Sequence, residues 1–197
     1  HLVREIDALG GEMGKAADKC FIQSRMLNRG KGAAVHSLRV QADRVKYHNY
    51  MKNVCEKQEN LYIKQGEISE ILVEDGKVTA VRTSLGAEYA VKAAIIATGT
   101  YLKGKIHIGE ASYESGPDSA LPSIGLSQSL RENGVELRRF KTGTPCRVHR
   151  RSIDFDKMEI QNGDDEIVPF SFETNADNLE NVVSCYVTYT NSKTHEV

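Results

Sequence analysis

The segment that most constrains the fold of this chain is residues 93–97, an unbroken apolar run that ends in Thr98-Gly99-Thr100. The run is too short for a buried helix and lacks polar alternation, so it predicts a strand covered on both faces, as in a parallel sheet flanked by helices. Open α/β sheets bind ligands at the carboxyl ends of such strands. We therefore expect an α/β fold with a ligand near the glycine turn, although similar turns also occur without ligands.

Composition limits the classes of protein to which the chain can belong. Its 197 residues are 40% hydrophobic, which is enough for a packed core, and its formal net charge of -1 offers no overall attraction to nucleic acid or anionic lipid. The sequence has neither a membrane-length apolar run nor a signal-peptide pattern, which predicts a cytoplasmic protein. The four cysteines are scattered, so the sequence predicts no metal site and no disulfide framework.

A small β meander is predicted immediately before the apolar run. Residues 67–73 and 78–83 form two strand-like segments around the turn Asp75-Gly76, and residues 88–92 form a third after Gly86. At the start of the chain, apolar residues from Leu2 to Ala16 follow a helical period and no capping residue precedes them. We interpret this as a helix whose beginning lies upstream of the sequence.

Two further helices are predicted from apolar periodicity. Residues 38–56 carry a helical stripe with cations near its first turn, where a bound phosphate or an acidic neighbour would offset their repulsion by the helix dipole. Residues 123–133 form the second, with Ser123 as the N-cap and Gly134 as the stop signal. Residues 186–190 have the composition of a strand.

Charge is strongly polarised between residues 138 and 180. Residues 152–180 hold nine acids and a single base, Lys157, whereas residues 138–151 hold six cations and no acid. Phosphate contacts supply most nonspecific affinity for nucleic acid, so the basic segment is the best local candidate for contact with RNA. Ion pairing between the two segments is the alternative. The cations are Arg138, Arg139, Lys141, Arg147, Arg150 and Arg151.

Several ordered blocks of sequence resemble one known family, the bacterial tRNA uridine 5-carboxymethylaminomethyl modification enzymes, or GidA/MnmG family. The resemblance extends over essentially the whole chain, which is identified as an internal fragment. A single block such as Ala97-Thr98-Gly99 would be weak evidence, but agreement across so many is not expected by chance. The blocks are residues 1–11, 41–44, 97–109, 122–124, 137–147 and 190–195.

The resemblance implies a fold and a division into domains. Residues 1–135 would be part of an FAD/NAD(P)-binding, Rossmann-like domain with a β meander, without its glycine-rich strand-turn-helix. Residues 136–197 would be part of an inserted, β-rich domain close to NADH. By the same resemblance Ile68 would lie beside the adenine, Ser123 would contact the flavin nucleotide, and Ala97, Thr98, Gly99 and Thr100 would form a wall of the cofactor site.

The family resemblance also implies an activity and partners. The complete enzyme would use FAD and NADH to add a carboxymethylaminomethyl group at C5 of the tRNA wobble uridine, as a homodimer with a GTPase partner of the MnmE type. Its catalytic cysteines would lie outside this chain, which alone would be inactive. Cys146 is better explained as an incidental thiol, since no activating group is placed beside it in the sequence.

The sequence leaves two alternative functions open. One is the related folate- and FAD-dependent tRNA (uracil-5-)-methyltransferase, whose motifs match less well. The other is a non-catalytic RNA-binding or dimerisation module, which a gel-shift assay with tRNA would distinguish from an enzyme fragment.

Overall fold

The structure is a computed structural model that describes residues 1–143, 145 and 147–196. Its described residues form two compact units, one of His1–Ile63 with Cys146–Val197 and one of Lys64–Pro145. None of the helices in these residues is long and apolar enough to cross a membrane. In chain order the helices and strands are α1 (Leu2–Ala8), α2 (Met13–Cys20), β1 (Phe21–Leu27), β2 (Ser37–Ala42), α3 (Arg44–Lys57), β3 (Ile68–Glu74), β4 (Lys77–Thr83), β5 (Glu88–Ala90), β6 (Lys105–Ile108), β7 (Ala111–Glu114), α4 (Gly125–Glu132), β8 (Glu159–Gln161), β9 (Cys185–Val187) and α5 (Ser192–His195).

Two buried carboxylates organise the helical part of the first unit. Asp18 on α2 accepts hydrogen bonds from the backbone N–H groups of Phe170 (2.8 Å) and Ser171 (2.9 Å), and Asp7 on α1 accepts one from Phe172 (2.9 Å). Because buried N–H groups need acceptors, these bonds fix the segment 170–172 against α1 and α2. They also lower the pKa of Asp7, with the Phe172 N–H as the largest cause.

The first unit also contains two antiparallel strand pairs, β1 with β2 and β8 with β9. Segments near residue 164 and residue 181 bond to β1: the Asp164 carboxylate accepts from the Met26 N–H at 2.6 Å, and the Asn181 side chain accepts from the Ser24 N–H at 2.7 Å. The Val182 and Val183 N–H groups both donate to a single β1 carbonyl. These polar contacts satisfy the backbone of β1 on the side away from β2.

The second unit is built around the antiparallel meander β3-β4-β5, on which α4 packs. Asp75 and Gly76 have φ of 50° and 74°, so the Asp-Gly turn adopts the predicted left-handed conformation and the hairpin prediction is confirmed. Helix α4 buries Leu126 and Leu130, and its Ser129 hydroxyl accepts a hydrogen bond from the backbone N–H of Ile71 at 3.0 Å. Strands β6 and β7 form a separate hairpin.

Residues 93–97, predicted as a buried parallel strand, form no strand, and Ile95 is 96% exposed. A central strand requires hydrogen-bonded neighbours and a covering layer on each face, and none of the described segments pairs with residues 93–97. The described sheets are antiparallel, apart from a single parallel bridge between Leu102 and Ser123. The prediction of a buried strand is therefore wrong for this structure.

Two of the helix predictions need correction, one in its interior and one at its beginning. The helical period after Leu2 is broken at Gly10, whose φ is +85°, so α1 and α2 are separate short helices. Residues 37–42 pair with β1 as a strand, and the following helix begins after Asp43. The Asp43 carboxylate accepts from the backbone N–H groups of Val45 and Lys46, so an acidic neighbour offsets the cations at this helix end.

Smaller differences occur elsewhere. The predicted helix 123–133 is observed as α4, but Ile124 and not Ser123 precedes it, and Gly134 follows with φ of +81°. Of the predicted strand 186–190, only its first two residues fall within β9. The two compact units also divide the chain differently from the predicted domains 1–135 and 136–197, which remain a prediction about the family.

Candidate functional site

The second unit contains an apolar cleft of about 540 Å³. Ile68 and Ile71 of β3, Val81 of β4 and Leu126 of α4 contribute to its lining, together with the apolar segment 93–98. Glu67 is the only charged residue among the described residues that line it. A cleft of this volume and character suits a flat, largely apolar ring better than a phosphate group.

An irregularity in β3 brings two of these side chains to one place. Residues three positions apart on a regular strand point to opposite faces, yet Ile68 and Ile71 both line the cleft. The register shifts between Ile68 and Glu70, where one extra β3 residue is accommodated opposite β4. Because such a bulge changes the face presented by the residues beyond it, both isoleucines reach the cleft.

The turn after the apolar segment is tied to the loop that leads into α4. The Tyr101 N–H donates to the Thr98 carbonyl at 3.0 Å, which closes the turn around Gly99. Ser123 donates its N–H to the Tyr101 carbonyl (3.0 Å), and its own carbonyl accepts from the Lys103 N–H (2.7 Å). Gly99 has φ of +53°, and a Cβ built on it would meet no atom within 4 Å. Ser123 therefore positions this turn and does not cap a helix.

The structure brings together four of the six residues predicted to bind a cofactor. Ile68, Ala97, Thr98 and Ser123 line the apolar cleft, whereas Gly99 and Thr100 follow in the turn and are not among the lining residues. Sequence reasoning missed Ile71, Val81 and Leu126. Val81 lies in the predicted hairpin and Leu126 in a predicted helix, but nothing in the sequence indicated that they face residues 93–98.

All six cations of the basic segment 138–151 are exposed. Arg138 pairs with Glu136 at 2.8 Å, and the Nη1 and Nη2 atoms of Arg139 donate to the Lys103 carbonyl, each at 3.3 Å. The guanidinium of Arg150 lies 6.0 Å from the ring centre of Phe155.

The acids of residues 152–180 form their ion pairs elsewhere. Asp164 pairs with Arg29 at 2.8 Å, and Glu173 pairs with Lys15 at 2.9 Å. Lys157 pairs with Asp154 within the acidic segment itself. Among the described residues of the first unit, no ion pair joins residues 147–151 to the acidic segment.

The described cysteines are placed as structural thiols. Cys20 is 3% exposed, and burial raises the pKa of its thiol, which makes it a poor nucleophile. Cys55 and Cys185 are half-buried. Cys146, predicted to be incidental, lies outside the described residues. His107 lies in β6 opposite Ser112.

Comparisons with known proteins place these features in a family. A family model described as glucose inhibited division protein A matches residues 1–197. The tRNA uridine 5-carboxymethylaminomethyl modification enzyme MnmG of Caldicellulosiruptor saccharolyticus is 59% identical over 197 residues, which are 100% of this chain and 31% of that protein. MnmG of Finegoldia magna is 54% identical over 198 residues, which cover 100% of this chain and 32% of that protein.

A solved structure shows the same fold. The form I crystal structure of Aquifex aeolicus GidA matches with a TM-score of 0.91 and 50% identity, covering 98% of this chain and 33% of that one. This match confirms the predicted class, a protein of mixed α and β structure. The chain belongs to the glucose inhibited division protein A family. It spans about 31% of the length of the curated relatives it matches first.

Proposed function

We propose that this chain is part of an enzyme that adds a carboxymethylaminomethyl group at C5 of the tRNA wobble uridine. The observation that carries the proposal is the 59% identity, over the whole of this chain, to a protein named as that enzyme. Identity at this level over the whole chain favours this activity over that of the related methyltransferase.

The cofactor proposed for the complete enzyme is FAD, with the apolar cleft as part of its site. The cleft fits one ring system of the dinucleotide, because the described residues that line it are mostly apolar and include no cation. Ile68, Ala97, Thr98 and Ser123 would contact that ring, and Gly99 would let it approach the turn, since no described atom occupies the space in front of its Cα. When bound, FAD would supply oxidation–reduction chemistry that side chains cannot.

The proposed RNA contact is the basic segment 138–151. Its cations are exposed, and its only described ion pair is with Glu136 at its edge, so most of its charge is available for phosphate. Phosphate contacts would position the tRNA without reading its sequence.

The remaining features of the proposal follow from the family resemblance. They are the use of NADH, a homodimeric assembly, a GTPase partner of the MnmE type, a cytoplasmic location, and the division into an FAD-binding part at 1–135 and an inserted part at 136–197.

Complementation tests the proposed activity. A protein of full family length that contains this sequence is expressed in a bacterium whose own modification gene has been deleted. Mass spectrometry of the digested tRNA is expected to reveal 5-carboxymethylaminomethyluridine derivatives at the wobble position. Appearance of 5-methyluridine alone would favour the methyltransferase, and an unmodified wobble uridine, with flavin bound, would contradict the proposal.

A further inference from the structure

Phe140 is the most exposed aromatic side chain among the described residues, at 87% exposure. It lies within the basic segment, between Arg139 and Lys141. Several other aromatic rings of the chain have close partners: Phe172 lies beneath Arg4 at 5.6 Å, and Phe155 packs against Tyr186 with ring centres 4.6 Å apart. No such ring or cation contact to Phe140 occurs in the described part of the chain.

The cations beside Phe140 keep N–H groups that can donate hydrogen bonds to an anion. Two N–H groups of the Arg139 guanidinium donate to the Lys103 carbonyl, which leaves the other three of its five N–H groups for a ligand. Lys103, Lys105 and Lys141 are exposed in the same compact unit. An apolar ring exposed between cations is costly in water but matches a nucleic acid, whose bases stack while its phosphates pair with the cations.

We propose that Phe140 is a stacking platform for an unpaired nucleobase, with Arg139 and Lys141 holding the adjoining phosphates. This inference rests on the proposed contact between RNA and the basic segment, and it adds the kind of RNA that the segment recognises. The bases of a duplex are stacked on one another and cannot offer a face to Phe140, so the platform selects single-stranded RNA, such as a loop, over duplex RNA.

Binding measurements on the full-length family protein that contains this sequence test the proposal. The probes are a ten-nucleotide single-stranded RNA and a blunt RNA duplex of equal phosphate number. Phe140→Leu is expected to weaken single-strand binding roughly 5- to 150-fold, the range for loss of one stacked base, and to leave duplex binding and the salt dependence unchanged. Phe140→Tyr is expected to restore single-strand affinity. Tyr62→Leu, at another exposed aromatic residue outside the basic segment, is the control.

The outcomes separate this inference from the proposed function. If Phe140→Leu leaves single-strand affinity unchanged while charge reversal in the basic segment abolishes it, the stacking platform is wrong and the phosphate contact stands. If neither change affects binding, both proposals fail. A fall of several degrees in the melting temperature of Phe140→Leu would instead mean that Phe140 packs against the rest of the protein, which also overturns the inference.

A spectroscopic measurement gives an independent test. The 197-residue sequence contains no tryptophan, so Phe140→Trp adds an indole fluorophore at position 140. Stacking is expected to quench its emission when single-stranded RNA is added, relative to the parent protein, and duplex RNA is expected to have no such effect. Equal quenching by both probes would contradict selection of an unpaired base.

Discussion

The Asp7 carboxylate accepts the backbone N–H of Phe172 at 2.9 Å, across 165 positions of the sequence. This hydrogen bond joins the first helix to a segment close to the other end of the chain. It is formed by the charged carboxylate, and it is the largest cause of the lowered pKa of Asp7. Three further contributions lower the pKa of Asp7: a hydrogen bond with the Ser171 side chain and, less strongly, the positive charges of Lys15 and Arg4.

The first prediction concerns stability in acid. Because the folded pKa of Asp7 lies below the ordinary value of 3.8, its contribution to stability is fully present above that value and is lost as the pH falls towards the folded pKa. Asp7→Asn is therefore expected to destabilise the protein at pH 7 and to flatten the fall in stability below about pH 4. Urea unfolding at a series of pH values measures this. Glu5→Gln, exposed on the same helix, is the control, and an equal effect of both changes would contradict the prediction.

The second prediction concerns Tyr50 on α3, whose hydroxyl donates to the Glu12 carboxylate at 2.6 Å. This bond is the largest cause of a pKa of about 12 for Tyr50. The hydrogen bond needs the protonated phenol, so its stabilisation is present below the ordinary value of 10 and is lost as the pH rises through about 12. Tyr50→Phe is expected to cost about 1–2 kcal/mol at pH 7.

Ultraviolet titration checks the ionisation of Tyr50 directly. The difference in absorbance between the parent protein and Tyr50→Phe is expected to develop only near pH 12. Tyr47→Phe, on the same helix, is the comparison for stability. Ionisation of Tyr50 near the ordinary pKa of 10 would mean that the bond to Glu12 does not persist in solution.

The third prediction concerns Gly99. Its φ of +53° strains any residue with a Cβ, so Gly99→Ala is expected to cost about 1 kcal/mol. Asparagine tolerates that conformation better, so Gly99→Asn is expected to preserve the melting temperature. The asparagine side chain would enter the space proposed for the cofactor, so the same change is expected to reduce the flavin content of the full-length protein. Gly30→Asn, which also faces open space, is the control. Normal flavin content in Gly99→Asn would show that the turn is only structural.

The fourth prediction concerns the basic segment. We expect weaker binding of all tRNAs, by about the same factor, when four arginines are replaced with Glu: Arg138, Arg139, Arg150 and Arg151. The slope of log affinity against log salt concentration is expected to become less steep by about 0.7–0.9 for each phosphate that the protein no longer neutralises. Reversing four exposed cations elsewhere in the sequence is the matched control: Lys57, Lys77, Lys92 and Arg131. Reduced thermal stability with unchanged tRNA affinity and salt slope would mean that the arginines serve the fold.

Local features of the fold were predictable from the sequence, and long-range ones were not. The β3–β4 hairpin follows from Asp75-Gly76, because few residue pairs adopt two successive positive φ values. Residues 38–42 belong to the predicted helix but form a strand, because pairing with β1 overrides their helical period. The apolar run 93–97 has the composition of a central strand, but its composition does not specify which segments would cover it.

The candidate site was predictable to a similar extent. The motif resemblance identified Ile68, Ala97, Thr98 and Ser123, which line one cleft. The role of Ile71 depends on the bulge in β3, and strand periodicity alone assigns it to the opposite face from Ile68. The exposure of the Phe140 ring could not be predicted from a segment whose pattern is dominated by its charges.

The hydrogen bonds that connect β1 to residues near 164 and 181 have a consequence for biosynthesis. They join positions 138 and 157 residues apart, so they cannot form until the ribosome has released most of this sequence. The unit Lys64–Pro145 is continuous in sequence, whereas the unit that contains His1–Ile63 must wait for its second part. During translation β1 therefore presents unpaired backbone groups on one side until these later segments emerge, and an unpaired strand edge is prone to misassembly.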